Sequence, residues 1–151
     1  MTKTIKRHIA LQPISREHRE GLSFCLKLKR GIKKKADLAE MQAYSNWFWK
    51  NQLQPHFKTE EELIFPLLNG EHPMIIKAIK DHRLIADYFS QNEPNLDILG
   101  EMAEKIHDHI RFEERKLFME IQSSVSDERL AKIDLESKLP KSCEWINPFW
   151  E

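Results

Sequence analysis

Apolar residues return every three or four positions along almost the whole chain, in four stretches each long enough for several helical turns. Strand-like alternation is nearly absent, and glycine occurs only four times in 151 residues. A chain patterned this way buries one stripe per helix, and short connections between long amphipathic helices favour antiparallel neighbours. The expected fold is all-α: an up-down antiparallel four-helix bundle over about residues 14–123, then a short C-terminal helix and docked tail over 126–151, in a single domain spanning 1–151.

The first helix is expected to start at Ser15 as N-cap, with Glu17 in its first turn, and to stop near Gly31. Its stripe reads Ile14, His18, Leu22, Cys25, Leu28 or Lys29, and Ile32. The second runs from about Asp37 to Leu68, with Trp49, Leu53, His56, Glu60, Leu63 or Ile64, and Leu67 inward; Pro55 should kink it just before His56. The third opens at Pro73 and ends before "SQNEPN", along Ile75, Ile79, His82, Ile85 or Ala86, and Phe89. The fourth spans Asn95 or Leu96 to Ser123, with Leu99, Met102 or Ala103, Ile106, His109, Glu113, Leu117 and Ile121 inward, its first turns weakened by Gly100. A fifth helix is expected over Asp127 to Leu139, stopped by Pro140, and the tail "CEWINPFWE" is apolar enough to pack on the bundle.

Composition removes several function classes. Formal net charge is zero, so no field draws the chain to nucleic acid or an anionic membrane. The basic run "KLKRGIKKK", residues 27 to 35, reads as a solvated helix end. No signal-peptide or membrane-spanning apolar run occurs, and the expected compartment is the cytoplasm. Cys25 and Cys143 lie far apart and make neither a disulfide framework nor a thiolate metal site. There is no phosphate-binding glycine loop, nucleophile triad or His-Glu-x-x-His motif.

What the stripes do contain is unusual. Each of the four helices carries one histidine on its apolar line: His18, His56, His82 and His109. Two of these have a glutamate four residues on, His56 with Glu60 and His109 with Glu113, which places nitrogen and carboxylate side by side on one face. Counting along the helices sets Glu60, His82 and Glu113 within about one turn of the same depth; His18 fits less well, lying near its helix start. Two ionised carboxylates facing each other in a core are costly unless a cation sits between them, and four imidazoles with two carboxylates are ligands enough for two ions. His8, His72 and His107 fall off the stripes and read as loop or surface groups. The one ferritin-like Glu-x-x-His spacing, Glu104 to His107, turns away from the stripe.

The segments "REHREGL", "HFKTEEELIFPLL", "KDHRLI" and "HDHIRFEERKLF" resemble the hemerythrin-like, or HHE cation-binding, family over roughly residues 8 to 122. The resemblance implies two non-heme iron ions, with His18, His56, His82 and His109 as terminal ligands, Glu60 and Glu113 bridging, and an oxo or hydroxo bridge. Oxygen carriers of that family place a second histidine where this chain has Ala86, and an Asp five rather than four residues after the fourth-helix histidine. The lost imidazole leaves a position for water, another residue or a small molecule. That suits handling of oxygen, nitric oxide or peroxide, or iron sensing and storage, better than reversible oxygen carriage. Glu61 and Glu114 are the neighbouring carboxylates if the stripes are displaced by one, and Asp87 and Tyr88 lie nearest the Ala86 position. The tail is the candidate for docking a protein partner, although packing on its own bundle is the expected role.

Overall fold

A computed structural model describes residues 6–91, 93, 95–141 and 144–151; Cys143 lies outside them. Four long helices form. α1 is Gln12–Lys33. α2 covers 38–67 as one rod: Leu38–Phe48, a π-turn Trp49–Leu53, Gln54–Thr59, a second π-turn Glu60–Ile64 and a 3-10 turn Phe65–Leu67. α3 is Pro73–Phe89. α4 covers 96–124 as Leu96–Phe112, a π-turn Glu113–Leu117 and Phe118–Ser124. Among the described residues there is no strand.

Pairings between the helices give the topology. Along α1 and α4, Ser15 meets Glu114 while Lys29 meets Glu104. Glu17 meets His56 on α2 while Phe24 stacks on Phe48. Trp49 stacks on α3 Phe89 while Glu60 reaches His82, and Lys77 covers α4 Phe112 while Asp81 takes Lys105. Every neighbouring pair runs in opposite senses, so the four helices go up, down, up and down around a square.

Local chemistry explains most boundaries. Asp37 caps α2 by accepting from the Glu40 N–H, and Asn95 caps α4 by accepting from Asp97 and Ile98. Ser15 is no cap, because the chain coils earlier: a 3-10 turn Ile9–Leu11, closed by His8 Nδ1 accepting from Ala10 N–H, leads into α1 with Pro13 in its first turn. His72 caps α3 in the same way, through Nδ1 on the Met74 N–H. The kink expected at Pro55 takes the form of a wide turn. The Gln54 N–H reaches back five residues to Trp49, one step before the ring that cannot donate, and Phe65 does the same to Glu60 before Pro66. α1 ends where Lys35 turns to a φ of 56°.

The fifth helix is shorter than the sequence suggests, α5 being Asp127–Ala131 only. Asp134 diverts the chain by accepting from both the N–H and the hydroxyl of Ser137, which favours a turn over another helical step. Leu130 and Leu135 are still buried beneath it. The tail docks as expected: Phe149 lies edge-on to Tyr44 at 5.2 Å and Trp145 packs on Trp47 at 5.4 Å. Gly31 makes room for it, since a Cβ there would stand 2.6 Å from the Phe149 ring. Phe149→Ala is expected to cost about 1–2 kcal/mol, below the 3–5 of a fully buried phenylalanine, read as a lower urea midpoint at unchanged slope.

The core falls into two apolar layers. One gathers Phe24, Leu28, Phe48, Phe57, Ile85, Met102 and Ile106; the other gathers Ile14, Ile64, Ile75, Leu117, Phe118 and Ile121. On each helix the numbering jumps from one layer to the other across the predicted histidine or glutamate. The polar groups therefore form a third layer, sandwiched between them.

Candidate metal centre

All six residues singled out in the sequence reach this middle layer, each less than 5% exposed and both glutamates at 0%. His18 comes to the same depth as the rest because its helix starts early: it lies nine residues beyond Ile9, as His82 lies nine beyond Pro73. The half-buried positions Leu22, Ile32, Trp49 and Ile79 sit less deep than their stripes imply, and Gly21, Phe24 and Gly31 are buried instead.

The geometry is two clusters with a common pair. His18, His56, Glu60 and Glu113 offer atoms within 4.8 Å of one another, and so do Glu60, His82, His109 and Glu113. All four imidazoles turn Nε2 inward. Nε2 lies 3.0 Å from Glu113 Oε1 for His18 and 3.1 Å from Glu60 Oε1 for His82. The corresponding distances are 3.3 Å from His56 to Glu60 and 3.4 Å from His109 to Glu113. Neither Asp87 nor Tyr88 joins a cluster; Asp87 is exposed and Tyr88 packs on the first apolar layer. Around Ala86 the neighbouring feature is Phe57, whose ring stacks on His82 at 3.7 Å.

The outer nitrogens are held as well. His56 Nδ1 contacts Glu17 at 2.9 Å, His82 Nδ1 contacts Glu61 at 2.9 Å, and His109 Nδ1 contacts Asp81 at 3.0 Å. His18 Nδ1 lies 3.1 Å from Glu114 without hydrogen-bond geometry. A carboxylate can only accept, so Nδ1 carries the proton and a neutral imidazole then presents its Nε2 lone pair to the centre.

These four carboxylates form a closed circuit: α1 holds the histidine of α2, α2 that of α3, α3 that of α4, and α4 that of α1. Each is the sequence neighbour of an inward residue. The offset alternates, with Glu17 and Asp81 one before a histidine on the up helices and Glu61 and Glu114 one after a glutamate on the down helices. A step of one residue turns about 100° round a helix. Reversing the helix reverses the sense, so the alternating offsets aim every carboxylate the same way round the bundle. Glu61 and Glu114 are thus outer partners here, not replacements for Glu60 and Glu113.

Burial alone disfavours charge on these groups, yet their neighbours outweigh it. His56, beside Glu60 and Glu17, is pushed up to about 9, as is His82 beside Glu60 and Glu61. His18 and His109 are also raised, and the imidazoles around Glu60 hold it well below the usual carboxylate range. Three buried atoms at the centre, Glu60 Oε2, Glu113 Oε2 and His109 Nε2, still have no hydrogen-bond partner. Buried polar atoms are rarely left so. Lone pairs converging on one space fit a cation, and two groups sharing two carboxylates fit a pair of them.

Beside the centre, a cavity of about 10 Å³ lies between His18, His56 and His109 on one wall and Phe48, Leu53, Phe57, Ile106 and Ile110 on the others. That is about the room for one water. Gly21 lines it, and a Cβ there would come 2.6 Å from Ile110 Cδ1. The Glu104–His107 pair faces outward, with Glu104 ion-paired to Lys29 at 3.0 Å, which removes the ferritin-like pattern from the core.

A family model described as the hemerythrin HHE cation binding domain matches residues 10–121, which takes in the whole centre. No curated protein and no solved structure matches the chain.

Proposed function

This chain belongs to the hemerythrin HHE cation-binding family, and from that premise we propose that it is a cytoplasmic non-heme di-iron protein which handles oxygen, nitric oxide or peroxide at an open iron position. The observation that carries the reading is the pair of four-residue groups sharing Glu60 and Glu113. His18 and His56 would hold one ion, His82 and His109 the other, with both glutamates spanning the two. Iron, which the resemblance of the motifs favours, would supply redox change and exchangeable coordination. Two imidazoles and two carboxylates give each ion four donors, fewer than an octahedral ion takes, so room remains for water or a small ligand.

The chain's own residues contribute order and exclusion. Glu17, Glu61 and Asp81 fix three of the rings with Nε2 inward, and Glu114 sits against the fourth. The two apolar layers keep bulk water from the centre, while the small cavity admits something of diatomic size. Gly21→Ala is expected to push Ile110 into that cavity. Nitric oxide association should slow on the order of tenfold at unchanged metal content, the factor that about 1.4 kcal/mol of added entry barrier gives.

The test of the reading is metal analysis of protein from iron-supplemented cells, with an optical spectrum before and after dithionite. About two irons per chain, with near-ultraviolet absorption that bleaches on reduction, is the expected result. Nitric oxide and oxygen titrations then separate ligand handling from iron storage or sensing. Protein that takes up no iron would overturn the reading.

A further inference from the structure

The electrostatic neutrality of the chain hides a strongly uneven surface. A groove of about 760 Å³ runs between the N-terminal half of α1 and the C-terminal half of α4, and six cations line it: Lys6, Arg7, Arg16, Arg19, Arg111 and Arg115. Only two carboxylates share it, and both are taken. Glu136 pairs with Arg16 at 2.7 Å, and Glu114 accepts from Ser15 at 2.8 Å with Arg7 at 3.8 Å. Lys6, Arg19, Arg111 and Arg115 have no carboxylate partner among the described residues, which leaves an excess of four positive charges in one concavity. Like charges brought together in a cleft repel one another, and the cleft focuses their field on whatever anion enters.

From this arrangement we infer that the groove is a binding site for a small, multiply charged oxyanion bearing phosphate or carboxylate groups. Guanidinium forks match the paired oxygens of both groups, and three of the four free cations are arginines. The volume falls within the ~300–1,000 Å³ of small-molecule sites, whereas a protein partner docks on a broad, shallow face. Ile9, Pro13 and Leu22 give the groove apolar stretches against which a carbon skeleton can lie.

The site also touches the metal centre. His18 and Glu114 both line it, and Glu114 lies 3.8 Å from Arg7 and 3.1 Å from the His18 ring. Arg7 is tethered by the Glu114 carbonyl at 2.7 Å and by Gln122 at 3.0 Å, so what an anion competes for is its contact with the Glu114 carboxylate at 3.8 Å. Occupancy of the groove is thereby felt at one of the inward-facing imidazoles.

The experiment is isothermal titration of the full chain, as purified and with its metal content recorded, against fructose 1,6-bisphosphate and against tricarballylate at two salt concentrations. Saturable binding of one equivalent that weakens with salt is expected; preference for the bisphosphate marks a phosphate ligand, and preference for the tricarboxylate a carboxylate one. The Arg19→Gln/Arg111→Gln variant should bind at least about tenfold more weakly, since each lost charged contact carries a factor of about ten or more. Lys33→Gln/Lys34→Gln, in the other basic stretch of the chain, should bind as the parent does. The exposed positions of all four residues make folding of both variants straightforward to verify by circular dichroism. No saturable binding of either anion, or equal weakening in the two variants, would overturn the assignment.

Discussion

Glu60→Ala will empty both metal positions, not one. Its carboxylate belongs to both groups and is wholly buried. It lies 3.1 Å from His82, 3.3 Å from His56 and 3.7 Å from His18. No other side chain spans the two halves from α2. Iron content should fall from about two per chain to well below one. By contrast, His56→Ala removes a donor from a single group and should leave about one. The unfolding free energy of the metal-free protein should also fall by about 3–5 kcal/mol, the usual cost of taking one partner from a buried ionic cluster, because three imidazoles then face each other across a space their counter-charge has left. Glu62→Ala, exposed on the same wide turn, is the control that should change neither quantity. Metal content by plasma emission and urea midpoints decide it, and two irons in Glu60→Ala would mean that Glu60 does not hold the metal.

The six central residues were legible in the sequence because helical periodicity converts directly into depth and direction. A histidine and a glutamate four apart on an apolar stripe can only point inward together. His18 read less clearly, since its depth depends on the 3-10 turn before α1, which rests on a histidine cap and a proline and not on any periodic signal. The outer carboxylates illustrate a different limit. Glu17 and Asp81 stand beside histidines in the sequence, but which neighbouring helix they address depends on the bundle's handedness, and a stripe on one helix does not encode that. The π-turns are similar: two run into prolines and can be rationalised, yet their register emerges only when the carbonyls find partners. The fifth helix fell short because Asp134 and Ser137 compete locally for the backbone, at a scale finer than a hydrophobic pattern resolves.

Protons at the centre should stabilise the metal-free protein and oppose its loading. In the metal-free chain His56 and His82 are raised from an ordinary 6.5 to about 9 by the carboxylates around them. A raised folded-state pKa means that folding favours the protonated ring. The stabilisation is complete below pH 6.5 and is lost as pH rises through 9. Each such shift corresponds to about 3 kcal/mol if independent, and the pair to less than twice that, because both rings draw on Glu60. The melting temperature of the metal-free protein should therefore fall between pH 6.5 and 9.5. A metal ion needs the same Nε2 lone pairs that those protons occupy, so loading must displace them. Apparent metal affinity should rise across the same window, by about tenfold per pH unit for each proton displaced. Adding ferrous iron anaerobically to the metal-free chain near pH 7.5, in weak buffer with a pH indicator, should acidify the solution by two or more protons per chain. Loading without proton release would show that the metal does not take the Nε2 positions of these imidazoles, whatever the final stoichiometry.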